Sequence, residues 1–538
     1  MSDSRSMSRR RFLIWSTASA ASITVASVDG RAWMDVPPVA AQSPDPPATV
    51  SATPSQTVQG FGASGAWWPN DLIHFRPEVQ ETVADMLFGP DGLALSVYRF
   101  NIGGGGVGVT HPGRNTETFL VSPGVYDWSR DPGGRLFLRL AAGRDVPILI
   151  GFVNSAPSPW TTNGESRGGE LHPEAGFAFA EYLADVVVHF HDVEGITLSY
   201  VSPMNEPNYT FADGFQEGMA VPVEHRAGLV QALGKQLAAR APYCRVIGDE
   251  SSRVGEHFMR DVPRWLSVPG TADYVAALAL HRYDFSNDLP LRLARELAED
   301  HGKSLWSTEV CCIDSRTGTW GQQYDPTIKS ALMMANVIWQ GLTVANDAAF
   351  HWWLACSSVI GADPATDPDA AFRENDQGWN DGLLYYDPNY AENGNQRIYA
   401  TKRYYALGNF SRYVRPGDRR HDVTGAPRDL HIMAFATGLV GASVTAPVQL
   451  PGSGASRGWS IVVVNNARAG ADATVFKLQL PVSRSERLAT QLAVETSAGR
   501  SLEPVELPSV SATGILSATV PAQSITTYVI RSAAISRQ

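Results

Sequence analysis

The chain of 538 residues is 44% hydrophobic and 18% charged, which excludes disordered and collagen-like classes and, at this length, predicts one large globular domain with a smaller one beside it. A formal net charge of −11 argues against the basic stripe that displaces counterions from a polynucleotide, so no nucleic acid is expected as a partner. Fourteen Trp and seventeen Tyr are many for this length; most serve the core, but aromatic faces also stack on the C–H faces of sugars, the contact a polysaccharide or oligosaccharide substrate would use, and a neutral substrate is the more natural expectation.

Residues 8–13, S-R-R-R-F-L, place a twin arginine before an Ala/Ser/Thr-rich run reaching Val28, and Val39-Ala40-Ala41 supplies a small-residue cleavage site. This reads as a twin-arginine export signal over residues 1–41. The run is too short and too poor in Leu and Ile for a stable membrane span. A secreted or extracytoplasmic monomer is expected. Residues 42–56, rich in Pro, Ser and Thr, read as a linker or an outlying strand.

From residue 58 onward strand-like and helix-like segments alternate. A glycine-laced strand over 58–66 leads to Trp67-Trp68, and a helix is predicted over Pro77–Phe88. Strands follow at 96–102 and at 146–154, the latter apolar throughout and fit for burial on both faces. Residues 173–190 repeat apolar side chains at helical spacing, with Phe179, Leu183 and Val186 or Val187 on one face. Gly195 ends that helix, and 196–201 reads as a strand. The pattern continues with a helix at 222–240, a strand at 245–249, a short helix at 257–266, a strand at 274–283 and a helix at 289–300. A strand within 304–312, a long helix at 326–344 and a strand at 348–354 complete it. Eight strands separated by helices predict an α/β fold, a (β/α)8 TIM barrel over 57–415.

Residues 357–395 make a long polar connection with Trp379, Tyr385 and Tyr386 embedded, expected to overhang the barrel mouth. A closing helix is predicted at 401–413. Over 416–538 the pattern changes to alternating runs such as 461–464, 475–480 and 526–530, which predict an antiparallel β-sandwich serving as a brace.

Two glycine-rich stretches invite other readings. Residues 62–66, G-A-S-G-A, lack the last glycine of a serine-hydrolase elbow, and the run from Gly103 to Gly106 lacks the Gly-Lys-Ser/Thr ending of a phosphate loop. Both are read as backbone kept thin beside a ligand or another strand. His189 and His191 are spaced so that they do not share a helix face, and H-E-x-x-H is absent, so no metal and no other cofactor is expected. The four cysteines are too few for a disulfide scaffold and require no bridge, although Cys311 or Cys312 would approach Cys356 if the last two barrel strands are neighbours.

Two carboxylates stand out. Glu206 follows the strand at 196–201 in V-S-P-M-N-E-P-N, and Glu309 lies near the end of the strand within 304–312. Glutamates at the mouths of different parallel strands suit glycoside hydrolysis, in which one carboxyl donates a proton while the other attacks the sugar or activates water. Arg99 and Asn101 end the second strand, Asn154 the third, and His281 and Tyr283 the sixth. Arg99 would hold a nucleophile ionised or satisfy carbonyls at the barrel bottom. His281 and Tyr283 would orient the nucleophile, or His281 would be a structural histidine with its hydrogen bonds satisfied. Trp67, Trp160 and one of the adjacent pair Trp352 and Trp353, taken as Trp352, are candidate sugar platforms. Glu250 ends the fifth strand, where its context G-D-E-S-S fits substrate contact or loop capping better than catalysis.

The motifs Q-G-F-G-A-S-G-A (59–66), Y-R-F-N-I-G-G-G-G (98–106), N-S-A-P-S-P-W (154–160), P-M-N-E-P (203–207) and S-T-E-V (307–310) together resemble glycoside hydrolase family 30. The resemblance covers essentially the whole chain after the signal, and the glycine run with N-S-A-P looks most like the endo-β-1,6-galactanase branch. It implies a barrel with a side β-sandwich, to which the segment before Gln59 adds a strand. It also implies a retaining mechanism with Glu206 as acid/base, Glu309 as nucleophile and Asn205 hydrogen-bonded to the sugar 2-hydroxyl. The substrate so implied is a β-linked galactan cut internally at β-1,6 bonds. Rival readings are another specificity of the family (β-1,6-glucanase, xylanase or exo-galactosidase) and a catalytically silent carbohydrate-binding protein.

Overall fold

The structure, a computed structural model, describes residues 46–111, 113–437, 458–483 and 486–534; the export signal expected over 1–41 lies outside the described residues. Eight parallel strands build the barrel: β1 (Gly60–Ser64), β2 (Val97–Asn101), β3 (Ile148–Phe152), β4 (Tyr200–Ser202), β5 (Arg245–Ser251), β6 (Val275–His281), β7 (Ser304–Glu309) and β8 (Ala349–Ser357). Each pairs with its neighbour in sequence, and β8 closes the ring on β1 with Ala349 opposite Gly60 and Phe350 opposite Phe61. Val97, Ile150, Ile247, Ala277, Trp306 and Ala349 pack together inside as an apolar floor. That filling leaves the C-terminal mouth as the place for polar chemistry.

The helices Pro77–Phe88, Gly176–Asp192, Val223–Arg240, Met259–Leu266, Asp288–Asp300 and Ile328–Gln340 fall where the periodicity predicts them. Asn287 and Thr327 cap the last two, each accepting from a backbone N–H two residues on. One barrel helix, Pro132–Ala142, is not legible in the sequence, because Gly133 and Gly134 weaken the helical signal. Its start is fixed instead by Asp131, whose side chain accepts from the Gly134 N–H at 2.9 Å, while Phe137, Leu138 and Ala141 are buried.

The connection after β8 departs from expectation. Gly382–Tyr386 is a buried strand, parallel to the end of β8, with Leu354 opposite Gly382 and Cys356 opposite Leu384. Tyr385 and Tyr386 are therefore core residues, not part of an overhanging loop: G-L-L-Y-Y is apolar enough to be drawn under the polar residues around it.

Among the described residues the second sheet has ten strands and includes the strand Ala48–Thr57, antiparallel to Arg419–Thr424 and parallel to Thr474–Gln479. It folds over on itself. Phe476 meets Tyr528 with ring centroids 6.4 Å apart, although four strands separate theirs in the sheet order. Along Gly458–Asn465, Trp459, Ile461 and Val463 enter the sandwich core while Val462 and Val464 face the barrel, so both faces of the strand are apolar. Asn409, on the helix Lys402–Ser411, accepts from the hydroxyls of Thr496 and Thr527 at 2.6 and 2.7 Å and ties the two bodies together. Among the described residues no helix is long and apolar enough to cross a membrane.

Candidate active site

Strand register brings the polar groups together at the mouth. His281 stands opposite Glu309 across β6 and β7. The pairing slips by one residue at Glu250 in β5 and at Thr308 in β7, which makes both residues bulges. A bulge at a strand end re-aims a side chain. Glu250 so turns into the barrel, where the Thr308 hydroxyl donates to it. Glu206 and Glu250 both hold positive φ, 44° and 64°, and the Glu206 N–H donates to the Glu250 carbonyl at 3.0 Å. For residues with side chains such backbone is unfavourable, and it persists only where the surroundings fix it.

The charged groups form one connected cluster. Arg99 Nη1 lies 3.0 Å from Glu309 Oε2, and Arg99 Nη2 lies 3.6 Å from Glu250 Oε1. His281 reaches three carboxylates: Nδ1 lies 3.1 Å from Glu206 Oε1 and 3.4 Å from Glu309 Oε1, and Nε2 lies 3.1 Å from Glu250 Oε2. The Tyr283 hydroxyl donates to Glu309 Oε1 at 2.7 Å. One oxygen of Glu206, one of Glu309 and a ring nitrogen of His281 all lie within 4.8 Å of one another. The two glutamates singled out in the sequence thus stand side by side.

Protonation follows from these contacts. Burial opposes charge on His281, but Glu309, Glu206 and Glu250 outweigh it and push the imidazole up to about 10, so both ring nitrogens carry protons at neutral pH. Burial likewise opposes charge on Glu250, yet Arg99 and His281 hold its carboxyl down at about 2. For Glu309 burial prevails and, with Glu206 adding to it, lifts the carboxyl above the ordinary range against the pull of His281, Arg99 and Tyr283. Two cations thus face three carboxylates. Glu206, His281 and Glu309 are also near enough to share a metal ion, and among the described residues no other such group occurs.

The predicted asparagines form a chain of amides. Asn205 Nδ2 donates to Asn154 Oδ1 and Asn154 Nδ2 to Asn101 Oδ1, each at 3.2 Å, and Asn101 Nδ2 donates to the Thr116 hydroxyl at 2.7 Å. This leaves Asn205 Oδ1, beside Glu206 in the chain, buried without a partner among the described residues.

The aromatic assignments need correction. Trp352 is 1% exposed, and its indole N–H donates to the Asp381 carbonyl. A register slip in β8 falls at Trp353, and that ring reaches the barrel mouth, against Trp67 and Phe152 at 5.3 and 6.4 Å. Phe152 in turn lies 4.2 Å under the Arg99 guanidinium. Trp67 borders the site with its indole N–H unpartnered among the described residues, while Trp160 packs on Phe179 and Tyr182. Glu250 is also corrected: fully buried between Arg99 and His281, it cannot touch substrate or cap an exposed loop.

Cys311 is bonded to Cys312, not to Cys356. β7 and β8 are neighbours as required, but Cys356 turns outward toward Tyr98 and Tyr404. The glycine run also finds its reason. A Cβ on Gly103 would stand 2.2 Å from the Thr116 carbonyl, and the N–H groups of Gly104 and Gly106 close around the buried Glu217 carboxyl at 3.4 and 2.7 Å. Nothing in the spacing of Glu217 from the run announces that contact.

Comparison with known proteins agrees with the geometry. A family model described as O-Glycosyl hydrolase family 30 matches residues 49–262 and 287–363. An exo-β-1,6-galactobiohydrolase of Bifidobacterium longum subsp. longum is 21% identical over 57% of this chain, and the chain spans only 27% of that relative's length. A solved structure described as a conserved exported protein from Bacteroides fragilis superposes with a TM-score of 0.70 at 21% identity, covering 90% of this chain and 100% of that one. The catalytic domain of GH30 xylanase C from Talaromyces cellulolyticus superposes with a TM-score of 0.65 at 20% identity, covering 90% and 99%. At these identities the two structures speak to the fold.

Proposed function

The chain belongs to O-glycosyl hydrolase family 30, and on that premise we propose that it cleaves a β-linked galactan, internally at β-1,6 bonds, by double displacement. It is a glycoside hydrolase by family membership. The observation that carries the mechanism is the approach of Glu206 and Glu309 to within 4.8 Å at the ends of β4 and β7. A retaining pair stands about 5 to 5.5 Å apart, too close for a water to fit between sugar and base as inversion requires.

In this reading Glu309, with donors from Arg99 and Tyr283, is the ionised member and its oxygen attacks the anomeric carbon. Glu206 gives its proton to the departing glycosidic oxygen, and that C–O bond breaks. A water then enters, Glu206 takes a proton from it, the water oxygen bonds the anomeric carbon and Glu309 leaves as carboxylate. Asn205 Oδ1 accepts from the sugar 2-hydroxyl as charge develops.

The galactan assignment rests on the motif resemblance and on the galactobiohydrolase relative. Reducing-sugar release from de-arabinosylated β-1,6-galactan tests it, with early products expected to keep the β configuration by NMR and Glu309→Ala expected to release none. Products of mixed length indicate internal cleavage, whereas disaccharide alone would move this chain to exo action like that relative. Hydrolysis of xylan or a β-glucan with none of galactan would overturn the sugar assignment, and saccharide binding without hydrolysis would make it a binding protein. The twin arginine and the exported structural neighbour support action outside the cytoplasm, which fractionation of the native host checks.

A further inference from the structure

We infer that Trp320 and Trp379 form a sugar-stacking subsite beside the reacting centre, taking a pyranose of the substrate chain next to the one under attack. Trp320 is 45% exposed, unusual for the largest apolar side chain. It stacks on Trp379 with ring centroids 4.8 Å apart and planes at 29°, so the partly buried Trp379 backs one face of Trp320 and the outer face of Trp320 is left to solvent. The Trp320 ring stands 6.3 Å from that of Tyr283, whose hydroxyl donates to Glu309. A sugar lying on this wall is therefore separated from Glu309 by a single side chain.

The wall is also held in place. Trp320 rides on a short hairpin in which Ile313 pairs with Trp320 and Gly321 N–H donates to the Cys312 carbonyl at 3.1 Å. Cys312 N–H donates to the carbonyl of Asn380, the residue after Trp379, at 3.0 Å, and Asn380 Nδ2 donates to the Ile313 carbonyl at 2.9 Å. Two loops from different parts of the chain are thus cross-linked at the point where their indoles meet. A hydrophobic contact left to solvent would need no such fixing; a platform for a rigid ring does, because a pyranose stacks only when its C–H face lies flat on the indole.

The inference rests on the glycosidase reading but not on which sugar is cleaved. The test compares Trp320→Ala with wild type on two substrates: a β-glycosyl fluoride, whose single ring does not reach the wall, and an oligosaccharide of the glycan that the enzyme hydrolyses. Trp320→Ala is expected to lose roughly tenfold in kcat/KM on the oligosaccharide and far less on the glycosyl fluoride. Trp320→Phe is expected to recover most of that loss. In the Glu309→Gln protein, oligosaccharide binding should quench tryptophan fluorescence, and Trp320→Ala should weaken that binding by a similar factor. Equal losses on both substrates, or none on the oligosaccharide, would overturn the subsite. If galactan is not cleaved but another β-glycan is, the sugar assignment fails and the same comparison, run on that glycan, still decides the wall.

Discussion

His281 Nε2 lies 3.1 Å from Glu250 Oε2, and neither side chain is exposed. Glu250 therefore serves as the fixed counter-ion that lets an imidazolium stand between Glu206 and Glu309. Removing one partner of a buried pair leaves the other uncompensated, at a cost of about 3 to 5 kcal/mol. Glu250→Gln is expected to lower the melting temperature by several degrees and to cut kcat, although the side chain never meets substrate.

The same pair sets a pH window for stability. Glu250 is depressed from 4.5 to about 2, so its contribution is present above 4.5 and is lost as pH falls toward 2. His281 is raised from 6.5 to about 10, so its contribution is full below 6.5 and is lost as pH rises through 10. Melting curves across this range should show His281→Asn losing most relative to wild type between pH 4.5 and 6.5, with the two converging above pH 10. A constant difference at every pH would mean that the imidazole is neutral in the folded protein.

Tyr283 opposes the forces that raise Glu309. Burial and Glu206 lift that carboxyl above 4.5, while the Tyr283 hydroxyl stabilises its ionised form. The acid limb of kcat/KM should accordingly lie above pH 4.5. Tyr283→Phe removes a donor to the carboxylate, so the limb should move to still higher pH, with a loss of about tenfold near the wild-type limb. An unmoved limb would separate Tyr283 from the ionisation of Glu309.

The amide chain behind Asn205 gives a test of positioning. Asn154 holds Asn205 through a 3.2 Å hydrogen bond and is itself held by Asn101. Asn154→Ala is expected to lower kcat by about tenfold, the worth of one hydrogen bond made in the transition state, with KM little changed. A rise in KM alone would place the chain in ground-state binding.

Much of this was legible in the sequence because it depends on local pattern. Strand-helix alternation located the eight strands, and the positions of Glu206 and Glu309 at strand ends followed from it. What stayed hidden depends on register. Bulges at Glu250, Thr308 and Trp353 interrupt the ladder, so counting along β5, β7 or β8 does not tell which side chain faces the site. The contacts of Glu250 with Arg99 and of Gly104 with Glu217 join residues over a hundred positions apart, and neither leaves a periodic trace.

The bond between Cys311 and Cys312 joins adjacent residues and encloses almost no chain, so it removes little entropy from the unfolded state. It sits two residues beyond Glu309, with Cys311 Sγ 3.9 Å from the Tyr283 hydroxyl and Cys312 at the base of the hairpin carrying Trp320. Its influence should therefore fall on the site and not on global stability. Reduction with a phosphine, verified by thiol titration under denaturing conditions, is expected to move the melting temperature by no more than about 2 °C. Activity on oligosaccharide should fall several-fold in the same sample, and Cys312→Ser should reproduce that loss without reductant. Full activity after complete reduction would show that the peptide hydrogen bonds of the hairpin suffice to hold Tyr283 and Trp320 in place.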